Sequence, residues 1–329
     1  MSYTSPDLRQ WHGRVDIEDG SLGHRWHQVV EGLDLDASSP LDDQSKRFAF
    51  LGFRSDEGVK RNKGRIGAVK GPEVMRKVMS STAVHFDEAK VKLLEAGDVS
   101  CVNHDMEHAQ TELGKRVRQL LERNTLPIVL GGGHEISFGH YQGLHQWVKK
   151  HHPDKKLGII NFDAHFDLRT PTEGPSSGTP FFQIAELCKA ENTPFLYEVM
   201  GINPAANTRK LFQTAEELNV HHVPYYEMHI SHIHDLAHTV HKFINRCDFI
   251  YLTIDMDVFS APFAPGVSAL NSCGTFPEVI SSMVRRIAKS GKLLSMDIAE
   301  LNPKFDIDDR TAKLASHLIY ELITAKTTD

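Results

Sequence analysis

Cysteine is scarce in this chain of 329 residues: Cys101, Cys188, Cys247 and Cys273 stand far apart, and no Cys-X-X-Cys pair occurs. No apolar signal-like stretch is found near Ser2 either, so nothing points to secretion or disulfides and the expectation is a protein of the reduced cytoplasm. Long hydrophobic runs are missing as well. No stretch approaches the roughly 20 apolar residues that a membrane helix needs, so a soluble protein without a membrane partner is expected. Positive charge is not in excess: 37 Lys and Arg stand against 43 Asp and Glu, for a formal net charge of −6, and the basic residues are scattered. That balance argues against a nucleic-acid surface and leaves small molecules as the expected partners. Internal repeats, low-complexity tracts and a convincing linker are also lacking.

What is present is enough apolar residue, 40% of the chain, to bury a large core as one α/β domain or two smaller ones. Residues 1–45 are polar, mixed in charge and weakly periodic, and read as an irregular arm on a globular body. Beyond them short apolar runs begin at Phe48, Val91, Leu126, Leu157, Tyr197, Phe249 and Lys292, each reading as a strand buried on both faces. Between the runs lie amphipathic stretches such as Leu113, Val117, Leu120 and Leu121, or Val279, Ile280, Met283 and Ile287. This alternation predicts a mostly parallel sheet covered by helices on both sides, in a single domain over residues 1–329.

In such sheets functional residues gather at the carboxyl ends of strands. Four candidates follow directly on apolar runs: Gly131-Gly-Gly-His-Glu135, Asn161-Phe-Asp-Ala-His-Phe-Asp167, Thr253-Ile-Asp-Met-Asp257 and Asp297-Ile-Ala-Glu300. Asp163, His165 and Asp167 occupy alternate positions, which in an extended chain share one face, and Asp255 and Asp257 form a second such pair. Four carboxylates facing one another need high positive charge between them. With His134, set after a glycine turn, and His165, the candidate set is two His and four Asp. Hard oxygen donors with minority imidazole and no thiolate suit Mn²⁺ better than structural Zn²⁺. Six ligands are too many for one tetrahedral ion and about right for two ions sharing carboxylates, an arrangement that activates water for attack on carbon or phosphorus.

These four segments, with Ser295-Met-Asp-Ile-Ala-Glu-Leu-Asn-Pro303 as the full form of the last and Gly64-Arg-Ile-Gly-Ala-Val-Lys-Gly-Pro as an early fifth, resemble the signature segments of the arginase/agmatinase/formimidoylglutamase (ureohydrolase) family, in the expected order. The resemblance covers about residues 46 to 325. It implies the three-layer α/β/α arginase-like fold, two Mn²⁺ per chain, and hydrolysis of a C–N bond in a guanidino or amidine group. By position His134, Asp163, Asp167 and Asp255 would hold one or both ions, with His165 and Asp257 completing the set. Glu300 matches the acidic residue that contacts the cationic end of the substrate.

Two departures from arginase bear on the substrate. Ser177 stands where arginases carry a proton-transferring His, and Arg169 where they carry an Asn that binds the amino-acid end. An Arg offers a fork of donors to a carboxylate. Asp167-Leu-Arg-Thr-Pro, Ser176-Ser-Gly-Thr-Pro-Phe and Arg61-Asn-Lys-Gly-Arg-Ile-Gly-Ala, with Trp11-His-Gly-Arg and Arg25-Trp-His-Gln, are most similar to the formimidoylglutamase branch of histidine degradation. The implied reaction converts N-formimidoyl-L-glutamate and water to L-glutamate and formamide. Its acid end would meet Arg169, with Arg61, Asn62, Arg65 and Ser177 as further contacts, while the amidine lies over the metals against Glu300. Asp167 would relay the proton to the departing nitrogen, with His165 beside it.

Competing readings are another amidino or guanidino hydrolase (agmatinase, guanidino-acid hydrolase or arginase) and a catalytically silent binding protein of the same fold. The intact set of six weighs against the silent reading. The remaining histidines, including His151-His152, His221-His222 and His229 to His238, read as exposed polar segments rather than ligands, and Cys101 and Cys273 as packed or surface thiols. Members of the family commonly form rings of three or six, which leaves room for a homo-oligomer.

Overall fold

The computed structural model describes residues 2–37 and 45–328. In chain order its elements are β1 (Tyr3–Thr4), α1 (Trp26–Val29), β2 (Val30–Gly32), β3 (Lys46–Arg54), α2 (Glu57–Arg61), α3 (Gly71–Met79), β4 (Val91–Ser100), α4 (Met106–Glu122), β5 (Leu126–Leu130), α5 (Ile136–His151), β6 (Leu157–Phe162), α6 (Pro180–Ala190), β7 (Leu196–Ile202), α7 (Arg209–Glu217), β8 (His221–Pro224), α8 (Ile233–Asn245), β9 (Phe249–Asp255), α9 (Pro277–Lys289), β10 (Leu293–Ala299) and α10 (Arg310–Thr327). The strands form one sheet in the order β1-β4-β3-β5-β10-β9-β6-β7-β8, with β2 also paired to β4. Every pairing is parallel except β1 with β4.

Strand alternation divides the core between the two faces. In β3, Phe48 and Phe50 point into one cluster, with Met75 and Met79 of α3 and apolar residues of α8, α9 and α10. Ala49, Leu51 and Phe53 point into the other, with α4, α5, α6 and α7. Three layers follow from this, with the arginase-like α/β/α order that the motifs implied. The amphipathic stretches are the inner faces of α4 and α9, where Leu113, Val117, Val279 and Met283 are fully buried. Local signals set their ends: Asp105 caps α4 by accepting from His108 N at 3.0 Å, and Pro277 opens α9 at a position where no N–H is needed.

Two expectations are revised. The segment before residue 46 does more than lie on the body, because β1 and β2 share the outer edge of β4 and Trp11 and Trp26 pack against Phe50 at ring separations of 5.2 and 5.8 Å. Residues 38–44 of that arm lie outside the described residues. His221-His222 belong to the edge strand β8, where the His221 ring meets Glu198. A four-residue edge strand carrying two His has too little apolar pattern to announce itself.

Candidate metal centre

The four chemistry-bearing segments sit at the carboxyl ends of β5, β10, β9 and β6, four consecutive strands in the middle of the sheet. Register brings their ends level: Ile298 pairs with Leu130, Ala299 with Asp255, and Phe162 with Ile254. The loops after them share one rim as a result. His134, Asp163, Asp167 and Asp255 converge so that one donor atom from each lies within 4.8 Å of the others, and Asp163, His165 and Asp257 form a second group by the same measure. Asp163 belongs to both.

The reason for the convergence differs from the expected one. β6 ends at Phe162, so Asp163, His165 and Asp167 are not on a strand, and Asp257 lies in a short helical turn after β9. A strand rises about 3.3 Å per residue, so positions i and i+4 would stand about 13 Å apart, too far to share an ion. The chain instead folds back: His165 N donates to Asp163 Oδ1 at 2.7 Å, and Asp167 adopts a left-handed φ of 49°. Asn207 braces this loop from outside, its Oδ1 accepting from Phe166 N at 3.1 Å and its Nδ2 donating to Ala164 O at 2.8 Å. Tyr197 OH donates to Phe166 O at 3.1 Å. Nothing in the sequence near Asn207 announced that role.

His134 is held from behind. Thr253 Oγ1 donates its only proton to Asp297 Oδ1 at 2.6 Å, so at 3.0 Å from His134 Nε2 it acts as acceptor. That assigns the Nε2 proton and turns Nδ1 toward the cluster. Asp297 also accepts from Tyr251 OH and from His140 Nδ1, and Thr253, Asp297 and His140 are fully buried. His134 Nδ1 stands 3.1, 3.0 and 3.3 Å from oxygens of Asp163, Asp167 and Asp255, yet it is a buried atom without an aligned hydrogen bond among the described residues. His165 Nδ1 lies 3.1 Å from Asp257 Oδ2 and 3.5 Å from Asp163 Oδ1.

The electrostatics reflect a site built for positive charge. Burial pushes Asp255 far above the usual carboxylate range, with the charges of Asp257 and Asp163 adding to it. Asp167 and Asp257 are raised too, burial being the largest cause in each. Burial also acts upward on Asp163, but its contacts with His134 and His165 win and hold it low. Both imidazoles are drawn above their ordinary range, against burial, by the carboxylates around them. Protons on the two rings thus stand in for cations, and an orphaned ring nitrogen facing carboxylates fits an ion with hard oxygen and minority imidazole ligands.

Above the cluster is a cavity of about 120 Å³ whose lining includes His165, Asp167, Asp255, Asn62, Ser177, Arg169 and Glu300. Glu300, at a left-handed φ of 65°, accepts from His134 N at 2.7 Å through Oε1, while its buried Oε2 has no partner among the described residues. Burial first, and the charge of Glu135 second, push its carboxyl up to about 8. Asn62 Nδ2 donates to Ser177 Oγ at 3.3 Å. Arg169 is exposed, with no carboxylate paired to its guanidinium among the described residues, and it joins this cavity to a wider cleft of about 640 Å³ that Lys63 and Lys210 also line.

Arg61 and Arg65 are otherwise engaged. Arg61 lines only the outer cleft, where its guanidinium bonds Glu107 at 2.6 Å and the carbonyls of Pro175 and His104 at 3.2 and 3.1 Å. Arg65 lines neither cavity; it donates to Val267 O at 2.7 Å and Ser268 O at 3.2 Å and covers the Phe305 ring. Both brace loops around the rim rather than point into the pocket. Cys101 and Cys273 are free thiols outside the cluster.

Known proteins match this arrangement. The family model "Arginase family" matches residues 46–325. A formimidoylglutamase of Aeromonas hydrophila is 43% identical over 317 residues, covering 96% of this chain and 98% of its own length. One of Ralstonia nicotianae is 44% identical over 323 residues, covering 98% and 96%. Among solved structures, a formiminoglutamase of Trypanosoma cruzi with Mn²⁺ superposes with a TM-score of 0.76 at 24% identity, covering 89% of this chain and 97% of that one. A formimidoylglutamase of Bacillus subtilis gives 0.76 at 22% identity, covering 93% and 92%. With most of its length matched and relatives well above 30% identity, the chain belongs to the arginase family.

Proposed function

We propose that this chain is a formimidoylglutamase, hydrolysing N-formimidoyl-L-glutamate to L-glutamate and formamide with two Mn²⁺ per chain. The observation that carries the substrate reading is the polarity of the pocket: Asp167, Asp255, Asp257 and Glu300 line its inner part, with Glu300 Oε2 unpartnered among the described residues, and its mouth holds the Arg169 guanidinium, which no carboxylate among the described residues pairs. A substrate with a cationic amidine at one end and carboxylates at the other matches both ends. The names of the relatives above 40% identity agree with it.

His134, Asp163, Asp167 and Asp255 would hold one ion, and Asp163, His165 and Asp257 the other. When bound, the ions would lower the pKa of a coordinated water and polarise the amidine carbon. Glu300 orients the amidinium by charge-assisted hydrogen bonding, and Arg169 takes a carboxylate. Asp167, whose carboxyl is raised by burial and by Asp163, relays the incoming water proton to the departing glutamate nitrogen. The balance is one water consumed, one C–N bond broken and one C–O bond made, with the amino acid leaving as its amine.

Release of formamide rather than urea from a panel of N-formimidoyl-L-glutamate, agmatine, guanidino acids and arginine tests this directly. Agmatine hydrolysed best would overturn the assignment of Arg169. Asp255→Ala is expected to abolish hydrolysis and lower bound manganese, measured by metal analysis; full activity in that variant would remove the metal assignment.

A further inference from the structure

Glu135 follows His134 in the glycine turn, but its carboxylate is turned away from the metal cluster and is fully buried. Its Oε1 accepts from Ser55 Oγ at 2.7 Å and from Gly58 N at 3.0 Å, while its own carbonyl accepts from Gln110 Nε2 at 2.7 Å. The backbone beside it repeats the attachment: Gly132 N donates to Phe53 O at 3.0 Å and Gly133 N to Ser55 O at 2.9 Å. The turn that presents His134 is thereby sewn to the end of β3 and the start of α2.

The space around this side chain is closed on two sides by glycine. A Cβ at Gly58 would lie 2.5 Å from Glu135 Cδ, and one at Gly133 would lie 2.1 Å from Glu135 Oε2. Neither position accepts a side chain while Glu135 keeps its place. α2 then carries the strap onward: Asn62 N donates to Gly58 O at 2.9 Å, and Asn62 Nδ2 reaches Ser177 at the pocket wall. A short path of hydrogen bonds therefore links Glu135 to the side of the substrate pocket where Asn62, Ser177 and Arg169 meet.

We infer that Glu135 is a positioning residue that sets the height of the Asn62–Ser177 wall above the metal turn, and so governs substrate affinity rather than metal binding. The inference rests on the amidine-hydrolase reading for its kinetic prediction alone. The burial of the Glu135 carboxyl is consistent with it: Oε1 takes both donors while the buried Oε2 has no partner among the described residues, and such a group is retained at a cost in stability.

The test compares Glu135→Ala, Glu135→Gln and Ser55→Ala in full-length protein loaded with Mn²⁺. Losing the buried acceptor is expected to raise KM for N-formimidoyl-L-glutamate about tenfold in Glu135→Ala, with a smaller rise in Ser55→Ala and kcat changed less than KM. Glu135→Gln keeps an oxygen for both donors and should hold KM close to wild type. Mn²⁺ affinity, followed by the electron paramagnetic resonance signal of the free ion, should be unchanged in all three. Hydrogen exchange read by mass spectrometry should quicken over residues 56–63 and stay slow over 163–167, a pattern that a general loss of stability would not produce.

Wild-type KM in both alanine variants, or exchange that quickens equally in both segments, overturns the inference. Mn²⁺ affinity that falls in step with KM overturns it too, placing Glu135 in the metal turn instead. If Glu135→Ala does not fold, Ser55→Ala decides, because it removes one hydroxyl and leaves the buried carboxyl in place. Wild-type protein that releases no formamide would remove the reaction assignment alone, and the exchange comparison would still decide on Glu135.

Discussion

Arg169 and Glu300 are the two residues whose unmet valence gives the pocket a direction. Among the described residues Glu300 Oε2 is buried without a partner and no carboxylate pairs the exposed Arg169 guanidinium, so each is free to form a charge-assisted bond when a ligand arrives. Arg169→Ala should raise KM for the acidic amidine about tenfold, as loss of one charge-assisted contact at a partly wet site would. Hydrolysis of a small amidine without carboxylates should be little changed, and steady-state kinetics with both substrates would show the difference. Equal losses for the two would mean that Arg169 shapes the loop and does not meet a carboxylate. Arg61 and Arg65, tied to carboxylate and carbonyl oxygens, are expected to affect loop order before substrate affinity. Their sequence context, Arg61-Asn-Lys-Gly-Arg65, pointed to the pocket as a group, and only Asn62 of the three named candidates there reaches it. Side chains a few residues apart on a turn face different ways, which a motif cannot express.

At the scale of elements, α3 and β4 are joined through a buried ion cluster. Arg76 of α3 is fully buried and donates to Glu95 at 2.8 and 2.7 Å and to Asp98 at 2.7 Å. Trp11 Nε1 adds a bond to Glu95 at 2.9 Å, which ties the N-terminal segment to the same point. Burial works against the Arg76 charge, but Glu95 and Asp98 hold its guanidinium above the ordinary Arg range. Arg76→Leu would leave Glu95 buried without its counter-charge and Asp98 with only Arg54, 3.7 Å away, and should cost about 3–5 kcal/mol. Chemical denaturation of the variant, followed by the fluorescence of Trp11, Trp26 and Trp147, checks it; a loss below about 1 kcal/mol, the scale of an exposed pair, would show the cluster to be incidental. The strands themselves were readable, since runs such as Phe249 to Asp255 are buried on both faces of a parallel sheet. β1, β2 and β8 were not, because two to four residues on a sheet edge carry too little pattern.

For the whole molecule, the acidic cluster couples stability to pH and to metal. Without ions, Glu300 rises to about 8 and Asp255, Asp167 and Asp257 also rise, so the folded protein holds their protons more tightly than the unfolded chain. Stability from such groups is fully present below the ordinary carboxylate range and is lost as pH rises through the folded values. The raised His134 and His165 act in the same sense, their contribution lost as pH rises above their ordinary range. Asp163, held low, contributes the opposite slope only under strongly acidic conditions. Metal-stripped protein should therefore unfold at a lower temperature at pH 8 than at pH 6. Added Mn²⁺, which binds deprotonated ligands, should restore more at pH 8. Calorimetric melting at both values, with and without Mn²⁺, measures the two gaps; a Mn²⁺ effect that is equal or larger at pH 6 would contradict the linkage.

Sequence by itself named the candidate residues for the chemistry and the strands that deliver them, because burial on both faces and runs of Asp and His are written locally. It named His134, Asp163, His165, Asp167, Asp255 and Asp257, and the structure gathers all six. Tertiary structure decided how they meet. The donors converge through a folded-back loop braced by Asn207, and through level strand ends four abreast, rather than through the pleat of a strand. It also decided the supporting roles of Thr253, Asp297, His140 and Glu135. These depend on side chains brought together from 44 to 157 positions apart, and no local pattern encodes a contact made only when the sheet closes.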